Sequence, residues 1–227
     1  MKEEVIIGST DGPIQLIGGP SEDALFLEGV PVQFTWLRET GTTMRYQIAK
    51  SIYESDVVQD RHFADFVKQG SLSQDSLAHQ FLYILQKLRK WRYQLEVSYL
   101  QHDSYELVKA VAKDGYYHQN GYGGLTALIQ TQAYTKDAAV EKYSKLIRNG
   151  AEPIVIMLKA KDSANAFILD GHHKLLAYAK EQKAAKAFVI TKLETEEISE
   201  AKAQELLRIS GVDDSDYQKA FFEGMKS

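Results

Sequence analysis

The chain contains no cysteine. That removes disulfide staples, thiolate-held zinc, cysteine-bound iron–sulfur clusters and any cysteine nucleophile. Proline is scarce, with four in 227 residues, and the fifteen glycines are not periodic, so collagen-like and extended disordered architectures are excluded. No apolar run approaches the roughly eighteen residues of a membrane-spanning helix. Walker A, dinucleotide-fingerprint, G-x-S-x-G, kinase catalytic-loop and H-E-x-x-H patterns are all missing. The opening MKEEVIIGST has neither the basic nor the apolar region of a secretory signal, so the cytoplasm is the expected compartment and no membrane partner is expected.

Positive charge is lacking only in one place. Of 27 basic and 31 acidic residues, five and nine respectively fall in 192–227, leaving 22 of each sign before it. A neutral body with an acidic tail is a poor match for a long nucleic-acid track. It leaves room for a local basic pocket and a small-molecule or nucleotide ligand.

The first fifty residues read as β. PIQLIG, ALFLEG and VQFTWLRETGTTMRYQIA are β-branched and aromatic runs with turn residues between them. Phe34–Leu37 and Met44–Ile48 are expected to form a hairpin around Gly41-Thr42-Thr43. Helices are expected over Asp60–Lys68, stopped at Gly70, and over Asp75–Lys90, where Leu77, Phe81, Ile84, Leu85 and Leu88 make a helical stripe. Trp91–Leu100 alternates apolar and polar residues and reads as a strand. Asp103 and Glu106 suggest a capping box opening a short helix to Ala112. Residues 114–124, DGYYHQNGYGG, read as an irregular loop, either covering a ligand or merely connecting two elements.

Further on, helices are expected over Leu125–Ala133 and Lys136–Arg148, the second capped by Thr135 and ended at Gly150. Strands at Pro153–Leu158, Ala166–Leu169 and Ala185–Thr191 enclose a helix from Lys174 to Glu181. Terminal helices are expected over Glu196–Ile209 and Asp216–Met225. The class is α+β. Residues 1–123 form a β-rich, then helical region of open role, strands and helices alternate from Leu125 on, and 193–227 form an acidic helical tail.

The densest polar cluster is Asp170-Gly171-His172-His173-Lys174, between the strand AFIL and the helix KLLAYAKE. A strand that turns through Asp-Gly into a helix sets backbone N–H groups and the positive end of the helix dipole beside the turn, a geometry that holds phosphate. His172, His173 and Lys174 add donors there. Asp170 is suited to accept a proton, orient a histidine or hold Mg²⁺ beside a phosphate. The same residues also make an ordinary solvated turn. Adjacent helical side chains diverge by about 100°, so the two histidines need not meet one ligand. Lys159 and Lys161, in the preceding hairpin, either reach a phosphate or are simply solvated.

Asn149-Gly150, Pro153-Ile154-Val155 and Asp170-Gly171-His172-His173-Lys174 occur in the order helix–Gly–x–x–Pro-Ile-x-Val, hairpin, DGHHR-like turn. In this the stretch 124–192 resembles the ParB/sulfiredoxin-like superfamily. The resemblance implies a small mixed sheet whose Gly171, His172 and His173 line a nucleotide-phosphate loop, with Lys174 at the usual arginine position. It also implies ATP, ADP or CTP with Mg²⁺ as ligands, and Asp170 as the residue that meets metal or acceptor hydroxyl. Sulfiredoxin chemistry is excluded by the missing cysteine, and the acidic tail argues against a ParB-type DNA-binding module. In the serine-kinase-like members an upstream glutamate acts as base. Glu141 is the candidate for a catalytic role beside Asp170 and His172, with Glu152 the other glutamate nearby. The expected function is nucleotide or phosphate binding, with small-molecule kinase or nucleotide hydrolase activity as its catalytic form. A non-catalytic nucleotide sensor or protein-interaction module is the alternative.

Overall fold

The computed structural model describes residues 2–20, 22–37, 42–47, 59–108, 116–120, 126–131 and 135–210. In chain order the strands are β1 (Lys2–Ile7), β2 (Ile14–Gly18), β3 (Glu22–Leu27), β4 (Val30–Leu37), β5 (Thr42–Gln47), β6 (Trp91–Leu100), β7 (Tyr105–Val108), β8 (Tyr116–Asn120), β9 (Thr126–Gln130), β10 (Val155–Ala160), β11 (Asn165–Asp170) and β12 (Ala185–Lys192). The helices are α1 (Arg61–Gln69), α2 (Leu77–Gln80), α3 (Leu82–Leu85), α4 (Asp137–Arg148), α5 (His172–Lys180) and α6 (Glu200–Ser210).

The fold is mixed α+β, with two sheets among the described residues. The larger has seven strands in the order β1-β6-β12-β10-β11-β9-β7, and the smaller five in the order β2-β3-β4-β5-β8. Strands from both sides of residue 123 share the larger sheet. The β11–α5 excursion returns the chain so that β12 runs parallel to β10, while β6 lies antiparallel on the other edge of β12.

Among the described residues, two apolar cores follow from the alternation of side chains along these strands. Ile156, Leu158, Phe167, Phe188 and Ile190 face one side, where they meet α1, α2, α3 and apolar residues of the five-stranded sheet. Phe81 stacks on Phe188 with ring centroids 3.6 Å apart. Val155, Met157, Ile168 and Ala187 face the other side, under Ile147 of α4 and Leu175 and Tyr178 of α5. Among the described residues no helix is long and apolar enough to cross a membrane.

Several local signals act as expected. Asp60 caps α1 by accepting the Phe63 N–H at 2.7 Å, and Gly70 ends that helix at φ +74°. The hairpin forms between β4 and β5, with Trp36 opposite Met44, though Thr42 and Thr43 belong to the strand. The Lys136–Arg148 helix begins at Asp137, and no side chain caps it; Thr135 does not act as its N-cap. Helix α5 opens two residues earlier than expected.

Other expectations are corrected. The single helix over Asp75–Lys90 is two short turns, because the carbonyls of Lys87 and Leu88 accept the N–H groups of Ile14 and Ser9 instead of continuing a helix. Leu125–Ala133 is not helical in its described part. Thr126–Gln130 is a strand between β7 and β11, parallel to both, and a strand buried on both faces is a continuous apolar run with no alternation to reveal it. The Asp103–Ala112 helix is replaced, where described, by β7, a partly buried strand that pairs with β9. Within 114–124 the described residues Tyr116–Asn120 are an edge strand paired with β5, not an irregular loop. The helix expected over Asp216–Met225 lies outside the described residues.

A buried polar network ties the small sheet to the β10–β11 turn. Asp23, Thr35, Ser163 and Asn165 are all 3% exposed or less. The Ser163 hydroxyl donates to Asp23 Oδ2 at 2.9 Å and accepts the Asn165 N–H at 3.0 Å. Asn165 Nδ2 donates to Thr35 Oγ1 at 3.1 Å, and that hydroxyl donates to Asp23. Asn165 donates to both hydroxyls and both hydroxyls donate to Asp23, so removing one member leaves buried partners unmatched. Ser163→Ala is expected to lower stability by about 1–3 kcal/mol, read as a shift of the urea midpoint at unchanged m-value.

Candidate functional site

The turn from β11 into α5 requires glycine. Gly171 sits at φ +103°, and a Cβ there would meet Val155 Cα at 3.1 Å, on top of the cost of a left-handed conformation for any L side chain. This glycine is the N-cap of α5 and brings no side chain to the cap. The amides of the opening turn have no intrahelical carbonyl to meet, and the dipole makes that end positive.

Asp170 closes β11 and is partly exposed; Lys174 follows one helical turn later and is 2% exposed. The lysine ammonium does not reach solvent. It pairs with Asp170 Oδ2 and donates to the Ile154 carbonyl at 2.9 Å. Lys174 therefore ties the start of α5 to the Pro153-Ile154 entry of β10, and its charge acts on the turn from beneath.

The two histidines serve different partners. His172 is 1% exposed, and its Nε2 accepts the Thr131 N–H at 3.0 Å. An accepting Nε2 places the hydrogen of the neutral ring on Nδ1, and that buried atom has no hydrogen-bond partner among the described residues. Burial pushes the His172 pKa down to about 4, with His173 and Lys174 adding to the shift and Asp170 opposing it. The ring is neutral at pH 7. His173 is half-buried, and its Nε2 accepts the Lys136 N–H at 2.9 Å. Consecutive imidazoles thus hold the end of β9 and the residue before α4, the divergence expected of neighbours on a helix.

The structure brings Asp170, Gly171, His172, His173 and Lys174 together. It does not bring Glu141 to them. Glu141 pairs with Lys180, eight residues after His172 and so about 12 Å further along α5. That ammonium holds the Glu141 carboxyl below its ordinary range. Glu152 is engaged elsewhere, accepting from Tyr99 at 3.2 Å and Lys186 at 3.1 Å.

Three residues of this neighbourhood were not legible in the sequence. Thr131 gives its N–H to His172 and its hydroxyl to the Ile168 carbonyl at 2.6 Å. Gln33 of β4 donates to the Gln130 carbonyl at 3.4 Å. Gln33 Oε1 and Gln130 Nε2, like His172 Nδ1, are buried without a partner among the described residues. Burying polar atoms unmatched is costly, and the only available signal was a pair of glutamines within otherwise apolar strands. Among the described residues no group of three or more His, Asp or Glu side chains is arranged to hold a metal ion. No protein-family model, curated protein or solved structure matches the chain.

Proposed function

We propose that the protein binds a nucleotide or another phosphorylated small molecule at the β11–α5 turn, as its resemblance to the ParB/sulfiredoxin-like superfamily implies, and that it acts in the cytoplasm. The observation that carries this reading is the left-handed Gly171 opening a helix whose first turn no side chain caps. Glycine allows a phosphate to approach the backbone, and the helix end supplies donors and positive potential. Lys174 and the histidine bonds to Thr131 and Lys136 hold the cradle in shape.

Magnesium fits this turn only as an ion carried on the phosphates. It keeps near-octahedral oxygen coordination and is commonly held by one or two carboxylates plus phosphate oxygens. Asp170 is the carboxylate at the turn; its Oδ2 is engaged by Lys174, leaving Oδ1 to meet such an ion. Bound there, magnesium would neutralise phosphate charge. The pairing of Glu141 with Lys180, remote from the turn, favours binding without turnover over a small-molecule kinase or nucleotide hydrolase.

Calorimetric titration with ATP, ADP, CTP, GTP and inorganic phosphate, with and without Mg²⁺, tests the reading. Micromolar binding of at least one nucleotide is expected, with movement of the Gly171–Lys174 amide resonances. Gly171→Ala is expected to weaken it tenfold or more, with thermal unfolding followed alongside to separate strain from lost contact. No heat from any of these ligands, with those amides unmoved, would sink it. Product analysis of the same mixtures separates sensor from enzyme.

A further inference from the structure

Three lysines of the larger sheet and its helices point inward, and each is served in the same way. Lys174 has the Ile154 carbonyl and Asp170. Lys186 has the Gly70 carbonyl at 2.9 Å and Glu152 at 3.1 Å. Lys192, wholly buried, has the Leu16 carbonyl at 2.8 Å and Glu196 at 3.0 Å. One carbonyl and one carboxylate compensate each ammonium, as burial of a charge requires.

Lys159 breaks this pattern. It lies on β10 and is half-buried, yet among the described residues its ammonium has neither a hydrogen bond nor a carboxylate at ion-pair distance. Burial holds its pKa below the ordinary lysine value, opposed only by the more distant charges of Asp162 and Asp23. It also lines a cleft. The cleft, about 600 Å³, opens on the face of the sheet that α4 and α5 cover only in part. That volume suits a small organic molecule. Asp170 pairs with Ile156, three residues before Lys159 on β10, so the cleft lies about 10 Å along the strand from the α5 turn and is a separate place.

The lining defines the ligand. Leu128, Met157 and Val189 give an apolar floor, and Ser98, Thr126 and Thr191 give hydroxyls at its side. The other charges there are accounted for. Glu96 pairs with Lys2 at 3.2 Å, and Lys161 and Asp162 are solvent-exposed, of opposite sign and adjacent on the β10–β11 turn. One uncompensated cation over an apolar floor calls for one negative charge on an apolar body.

We infer that this cleft is a second ligand site, taking a small monocarboxylate whose carboxylate pairs with Lys159 and whose apolar body lies on Leu128, Met157 and Val189. The inference does not depend on nucleotide binding at the α5 turn.

Reductive ¹³C-methylation keeps lysine charged and gives each a resolved NMR signal, that of Lys159 identified by its loss in Lys159→Arg. Octanoate is the probe, with octanamide as its neutral counterpart and inorganic phosphate as an anion without an apolar body. Octanoate is expected to move the Lys159 signal saturably while the other lysines stay put, and to bind about tenfold or more tightly than octanamide, the worth of a charged hydrogen bond. Lys159→Met is expected to erase that preference. Equal binding of octanoate and octanamide with Lys159 unmoved, phosphate binding as well as octanoate, or no shift from any probe would each overturn the inference. If the methionine variant does not fold, the wild-type signal decides alone.

Discussion

Gly70→Ala is expected to remove about 3–5 kcal/mol of stability, much of what a domain of this size has to spare. Gly70 ends α1 in the left-handed region at φ +74°, where an added Cβ would lie 1.7 Å from the Glu152 carbonyl oxygen. The clash is with backbone, and that backbone is fixed. The Ile154 N–H bonds the Val67 carbonyl at 2.7 Å, and the Gly70 carbonyl accepts from Lys186. Alanine must therefore pry α1 from the entry of β10, adding an overpacking penalty to the conformational one. Gly150→Ala is the control. It has φ +89° but no heavy atom within 4 Å of the added Cβ, so only the backbone cost of about 1–2 kcal/mol applies. Urea unfolding of both variants checks the difference; equal losses would mean that the close approach of α1 to Glu152 contributes nothing.

Acid is the second large lever. His172 has a folded pKa of about 4 against an ordinary value of 6.5, so between those values the unfolded chain binds the proton and the folded protein does not. Stability from this group is complete above pH 6.5 and is lost as pH falls toward 4, by on the order of 3 kcal/mol. His172→Gln separates this loss from that of the carboxylates. Its Oε1 can take the place of Nε2 as acceptor for the Thr131 N–H, and it does not titrate. Unfolding free energies from pH 7 to pH 4 are expected to fall more steeply for the wild type than for the variant, and parallel curves would contradict the assignment.

What the sequence disclosed was local. Asp60 and Gly70 bracket α1 because a cap and a left-handed stop are written in single residues. The alternation in Trp91–Leu100 is likewise visible because β6 is apolar mainly on one face. The Asp170–Lys174 turn was legible from its glycine and its position between an apolar run and a helical pattern. What escaped depends on partners far along the chain. Thr126–Gln130 is a strand because β7 and β11 flank it, and no residue within it says so. The helical stripe through Leu88 fails because a segment some seventy residues earlier claims its carbonyls. His172 finds Thr131 across 41 positions. The superfamily resemblance makes Glu141 the candidate base for the turn, but the packing of α4 on α5 sets it against Lys180.

The strand order of the larger sheet has a consequence for how the molecule is made. β12 is among the last strands to leave the ribosome, yet it lies between β6 and β10. Until residue 192 has emerged, the growing chain holds two half-sheets, each with a strand edge whose backbone donors and acceptors are unmatched. β1 can dock on β6, and β11 on β10, but neither half has its neighbour. Such open edges invite pairing with other chains. A message truncated before β12 would therefore yield a product with two adhesive seams rather than a smaller domain, and during normal synthesis those seams are what a nascent-chain chaperone would have to cover.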